Sequence, residues 1–169
     1  MGKLVDPLVM EMEQEAEATR RVLGRVPGDK LAWKPHRKSY SLGQLAMHVA
    51  SIPGDLSQLC QTDVLDVATV AFQQPEAKSV AELLPRLEEG LREAKRVFGG
   101  MDDSRALSPW KLIRGEKDLL TVPRLGFFRT FFLNHWYHHR GEMQVYLRLL
   151  DVPVPAVYGP TADENPFGA

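Results

Sequence analysis

Two histidines, His135 and His139, stand four residues apart in the run Asn134-His135-Trp136-Tyr137-His138-His139-Arg140-Gly141-Glu142. On a helix, side chains at that spacing share a face, with Cβ atoms about 5–6 Å apart. Two imidazoles so placed can reach one metal ion. Apolar residues recur around them at helical intervals, at Phe128, Phe131, Phe132, Met143, Tyr146, Leu147 and Leu150, so the pattern predicts both histidines on the buried stripe. A third, His48, lies three residues after Leu45 and four before Ile52, on the apolar side of an earlier helix. Three neutral imidazoles in a small core each bring a donor and an acceptor. A metal satisfies three acceptors together and leaves the outer nitrogens needing partners of their own. The competing reading is three core histidines satisfied by backbone or water.

The spacing restricts the chemistry. Trp136 stands where a His-Glu-x-x-His motif has its glutamate, so that zinc protease signature is excluded. The chain has one cysteine, Cys60, hence no Cys-x-x-Cys pair and no internal disulfide. An all-nitrogen donor set suits zinc, nickel, copper or iron. Three protein ligands leave a fourth position for water or substrate, as in catalytic sites, where the ion lowers the pKa of a bound water or thiol. His36, beside Arg37 and Lys38, reads as a solvated loop residue. His138 points about 100° away from His139 and reads as off the site. Tyr137, Glu142 and Asp163 are candidates for a second reactive group. Phe131, Phe132, Trp136 and Tyr137 either line an apolar pocket or simply fill the core.

Four helices are predicted to position these residues. The first runs from about Pro7 to Leu23, with Asp6 as its cap and Gly24 and Pro27-Gly28 as its stop. Ser41 and Gln44 form a capping box for the second, whose face is Leu42, Leu45, Val49 and Ile52. Pro53-Gly54 should kink or end it, although Leu56, Leu59 and Cys60 could continue it. After a polar connection, Ser79-Val80-Ala81-Glu82 reads as the cap of the third, which Gly99-Gly100 stops. Its alternating charges, Arg86 to Arg96, read as a solvated face. The segment from Trp110 to Leu120, with Gly115 near its centre, reads as a small hairpin or extended loop. Pro123 opens the fourth helix and Asp151-Val152-Pro153 ends it. The tail from Pro153 could pack or wander. These elements predict one domain over residues 1–169, an all-α four-helix bundle with a small hairpin or loop before the last helix.

Composition narrows the partners. With 44% hydrophobic and 25% charged residues the 169-residue chain is ordinary for a globular protein. A formal net charge of −1 gives no field that would draw it to nucleic acid or an anionic membrane. No apolar run is long enough for a membrane span, and Met1 to Pro7 has no signal-peptide core. With its lone cysteine, the chain is expected in the cytoplasm.

The chain resembles the DinB/YfiT-like metal-binding family, the damage-inducible four-helix group. The resemblance is carried by Ser41-Leu42-Gly43-Gln44-Leu45-Ala46-Met47-His48 after Trp33-Lys34-Pro35, by Asn134-His135 to Gly141, and by Tyr146 to Pro155 with Tyr158 to Glu164. It implies a four-helix bundle with a divalent metal, zinc or nickel, on His48, His135 and His139. His138 fills an additional histidine position that is not the usual ligand. It further implies a homodimer and, as in some related families, transfer of a low-molecular-weight thiol to a small electrophilic substrate, or hydrolysis. The alternative is a non-catalytic metal-binding dimeric stress-response protein. Glu142 departs from the family pattern, which commonly has glutamine there.

Overall fold

The protein is described by a computed structural model covering residues 2–71 and 73–168. In chain order its elements are α1 (Asp6–Leu23), α2 (Leu42–Gln61), β1 (Val64–Asp66), α3 (Leu83–Gly100), α4 (Asp103–Leu107), β2 (Pro109–Arg114), β3 (Lys117–Pro123) and a C-terminal rod. The rod comprises α5 (Arg124–Phe127), a π-helical segment (Phe128–Asn134) and α6 (His135–Leu149). The four long helical units form the expected bundle.

The all-α expectation is corrected by a small mixed sheet of order β1-β2-β3. The hairpin is real: β2 and β3 are antiparallel, with Trp110 opposite Val122, and Gly115 takes a φ of 58°, which suits glycine. β1 pairs parallel with β2, Val64 opposite Lys111, inside the stretch read as polar connection. Three residues are too few to display alternation, and the partner strand lies far downstream. Trp110 anchors the sheet to the bundle: it is buried, stacks edge-on to Phe127 at 4.6 Å and donates its indole N–H to the Leu59 carbonyl at 3.4 Å.

Local chemistry explains where the helices begin. The Ser41 hydroxyl accepts from the Gln44 amide at 3.1 Å, while the Gln44 side chain accepts from the Ser41 N–H at 2.9 Å, so the predicted capping box forms. Asp6 is the first residue of α1 rather than its cap, and its carboxylate accepts from the Lys3 N–H at 2.7 Å. Ser79 does not start α3 either. It closes a 3₁₀ turn over Val80–Glu82, and the α-helix proper begins at Leu83. Pro85 gives the reason, because a helix starting at Val80 would drive its ring into the Ala81 carbonyl. In the first turn of α3 its missing N–H costs nothing.

α2 runs on through Pro53-Gly54 to Gln61. Gly54 meets Gly90 of α3 backbone to backbone: a Cβ on Gly90 would lie 2.7 Å from the Gly54 nitrogen. At its C-terminus α2 is capped by Arg124, a buried side chain whose Nε donates to the Cys60 carbonyl at 3.1 Å and whose Nη2 donates to the Thr62 carbonyl at 2.7 Å. A cation there satisfies orphan carbonyls and opposes the helix dipole. The charged face of α3 also pairs across helices, through Arg20–Glu88 and Arg86–Asp55.

The tail packs. Val154 and Ala156 are buried, the Val154 N–H donates to Asp163 at 2.8 Å, and Glu164 pairs with Arg21 and Arg25. Ala169 lies outside the described residues.

Candidate metal centre

The core-facing stripe of α6 is Trp136, Arg140, Met143 and Leu147, all buried. His135 and His139 each sit one residue earlier, about 100° around the helix. They are half-buried at the edge of the core rather than on its stripe, which corrects the sequence reading. The preceding π-helical segment causes the shift. Its wider turns add a residue to the repeat, so the core face passes from Phe127 and Phe128 to Phe132 and Leu133 and then to Trp136. The histidines are thereby turned towards α2 and towards an opening.

His48 meets them from α2. Its Nε2 lies 3.3 Å from Nε2 of His135. Ring centroids are 4.5 Å apart for His48 and His139 and 4.6 Å for His135 and His139. One ring nitrogen from each of the three lies within 4.8 Å of the others, so the triad could hold a metal ion. Two nitrogens bound at 2.0–2.1 Å to a tetrahedral ion are themselves about 3.3 Å apart. The His48–His135 separation therefore suits co-ligation as well as a direct hydrogen bond.

The protonation states fit a donor role. Burial, followed by the nearby His139 and His135, pushes the His48 pKa down to about 4. Burial and His139 also lower that of His135, against a backbone hydrogen bond to Phe131 that raises it. Both rings are therefore neutral at neutral pH and keep a lone pair for a ligand. His139 is held from outside, with its Nδ1 2.6 Å from a carboxylate oxygen of Glu142. The other oxygen of Glu142 lies 3.4 Å from Nε2 of His138.

The triad faces an open pocket of about 290 Å³, whose other lining residues are Tyr40, Gln73 and Gln74. Tyr40 presents its ring edge-on to His48, centroids 6.2 Å apart. The glutamines belong to a loop fastened over the start of α2: the Ala77 N–H donates to the Gly43 carbonyl at 3.3 Å and Gln74 donates to that of Gln44 at 3.4 Å. Sequence reasoning missed these three residues, since loops carry no periodicity. The one available signal for Tyr40 was its place just before the Ser41 cap.

The other expected candidates fall elsewhere. Tyr137 donates to Glu11 at 2.9 Å, and Asp163 pairs with Arg148 in the tail. Phe132 and Trp136 are core, and Phe131 packs on Trp110 and Phe127, so none of the four aromatics lines the pocket. His36 is exposed and accepts from the Lys38 N–H at 3.2 Å. His138 is exposed and outside the triad, as expected.

Three imidazoles delivered by two members of a four-helix bundle onto an open pocket define a helical protein with a histidine site suited to a metal. The DinB family model matches residues 1–166, and the chain belongs to the DinB family. It is 25% identical over 169 residues to the uncharacterized protein YrdA of Bacillus subtilis, covering 97% of this chain and 93% of that one. A crystal structure of a DinB-like protein from Bacillus cereus aligns with a TM-score of 0.59 at 19% identity, covering 89% of this chain and 95% of that one. The DinB-like protein YjoA of Bacillus subtilis aligns with a TM-score of 0.65 at 12% identity, covering 94% and 99%. At these identities the likeness is one of fold. Among the described residues no helix is long and apolar enough to cross a membrane.

Proposed function

We propose that His48, His135 and His139 bind one divalent ion, zinc or nickel, and that the protein transfers a low-molecular-weight thiol to a small electrophile in the pocket above them. The observation that carries the reading is the convergence of three ring nitrogens within 4.8 Å on the wall of an open pocket. When bound there, a divalent ion supplies Lewis acidity, favouring deprotonation of a thiol or water at neutral pH.

The chain's own groups do the rest. The neutral His48 and His135 offer lone pairs without first losing a proton. Tyr40, Gln73 and Gln74 supply uncharged donors and acceptors at the rim, which orient a polar thiol or its acceptor without a fixed charge. In the transfer the thiol gives its proton to solvent, sulfur bonds to the electrophilic carbon, and the leaving group departs with its bonding electrons. Cys60 is buried on the far stretch of α2, so the thiol comes from a bound small molecule. Hydrolysis by an activated water is the variant of the same site. The reading takes residues 1–169 as one domain by length, places it in the cytoplasm because of its single cysteine, and makes it a homodimer on the strength of the family resemblance.

Metal analysis of the purified protein tests the site, with thermal melts during zinc or nickel addition. Stoichiometric metal and a rising melting temperature are expected, because an ion that binds only the folded state stabilises it by mass action. His135→Ala should abolish the gain and His36→Ala should not. A panel of small thiols with a chloro-dinitro arene then tests turnover. Metal binding with no thiol transfer and no ester hydrolysis would leave a non-catalytic metal-binding protein.

A further inference from the structure

We propose that Glu142 is a positioning residue for the metal, holding His139 through Nδ1 so that its Nε2 lone pair points at the ion shared with His48 and His135. The proposal rests on the metal-site reading above. A neutral imidazole carries its hydrogen on one nitrogen only, and an ionised carboxylate can only accept. A neutral His139 beside an ionised Glu142 therefore carries its hydrogen on Nδ1, 2.6 Å from the carboxylate oxygen. That leaves Nε2 as the free donor to a metal, and the anionic acceptor behind the ring raises its basicity.

The three imidazoles differ in this respect. His135 has a neutral backbone partner at Phe131, while His139 alone is backed by a carboxylate. The second oxygen of Glu142 lies 3.4 Å from Nε2 of the exposed His138. The spacing explains the arrangement: Glu142 is three residues after His139 and four after His138, so one carboxylate reaches both rings on a single helix face. His138, His139 and Glu142 could alternatively hold a second ion of their own. In that case Nδ1 of His139 would have to give up the hydrogen it shares with Glu142.

The test uses the full-length protein, stripped of metal and reloaded with zinc, with affinity read by chelator competition. Glu142→Ala should weaken zinc binding about 10- to 100-fold, with the melting temperature of the metal-free protein unchanged. Glu142→Gln should weaken it less, since an amide oxygen still accepts from Nδ1. His138→Ala should change it by about fivefold at most, as expected for an exposed pair. Independently of metal, nitrogen NMR of the wild-type apoprotein in mildly alkaline buffer should find the His139 hydrogen on Nδ1. In Glu142→Ala it should redistribute towards Nε2. Wild-type affinity in Glu142→Ala, or an Nε2 hydrogen in the wild type, would overturn the proposal. So would a wild type that takes two equivalents of zinc while Glu142→Ala loses only the second. A wild type that binds no zinc at all would overturn the metal reading together with it.

Discussion

Trp136 of α6 donates its indole N–H to the carbonyl of Val49 in α2 at 2.9 Å. That carbonyl is the one Pro53 leaves without an intrahelical partner, because a helix bonds the carbonyl of residue 49 to the N–H of residue 53 and proline has none. Trp136 follows His135 and Val49 follows His48. One hydrogen bond thus repairs the break in α2 and fixes the register in which the two histidine nitrogens lie 3.3 Å apart.

Replacing Trp136 with Phe should leave the buried Val49 carbonyl unsatisfied and cost about 1–3 kcal/mol. In a Pro53→Ala background the alanine amide restores the intrahelical bond, so the same substitution should cost less. A double-mutant cycle measured by urea unfolding reads the coupling. Strict additivity would mean that the indole does not serve the carbonyl that proline orphans. Trp136→Phe should also weaken metal binding, since the two helices lose their common register.

The contact of Gly54 with Gly90 sets the distance between α2 and α3. A methyl group at Gly90 would lie 2.7 Å from the Gly54 nitrogen and 3.3 Å from Cβ of Pro53, and backbone cannot swing aside as a long side chain would. Gly90→Ala should therefore cost about 1–3 kcal/mol despite the better helix propensity of alanine. At about 2–4 °C per kcal/mol for a chain of this size, the loss is visible in a thermal melt. An unchanged or raised melting temperature would show that the helices can separate freely.

Much of this was legible in the sequence. The Ser41/Gln44 box, the Gly115 turn and the three histidines can all be read from neighbours within one or two turns. The features that escaped depend on distant partners. Pro53 looks like a helix end until Trp136 is known to satisfy Val49. Arg140 is buried, donates to the Glu15 carbonyl at 3.0 Å, pairs with the Glu15 carboxylate and bonds the Tyr158 hydroxyl of the tail. A buried cation needs such a shell, and only the folded chain supplies it from α1 and the C-terminus. The phase of α6 escaped for a related reason: a pattern read at 3.6 residues per turn cannot register a π-helical segment, so it placed His135 and His139 where Trp136 and Arg140 belong.

The metal-free protein should lose stability as pH falls from about 6.5 to about 4, the ordinary and folded values for His48. His48 is a base whose folded pKa is depressed, so across that window the unfolded chain binds more protons than the native one. Stability then rises with pH, is complete above the unfolded value and is lost as pH drops through the folded one. The lowered pKa of His135 acts in the same direction. Thermal melts of apoprotein across this range should show a slope that His48→Gln flattens. A melting temperature that stays constant down to pH about 4 would contradict the neutral, desolvated state of the ring. Bound metal should shift the loss to lower pH, because protons and the ion compete for the same nitrogens.

Cys60 should be chemically silent in the native protein. It is fully buried, and burial pushes its thiol up to about 12, against smaller opposing effects of Arg124 and Arg105. At neutral pH almost no thiolate forms, and the thiolate is the reactive species. Cys60 also lies twelve residues beyond His48 on α2, about 18 Å along the helix axis. A maleimide or disulfide reagent should therefore label the native chain only at the rate of global opening and label it at once in denaturant. Cys60→Ala should leave metal binding and any thiol-transfer activity intact. Rapid native labelling, or loss of transfer in that variant, would make the chain's own sulfur the nucleophile and remove the need for a small thiol in the pocket beside Tyr40.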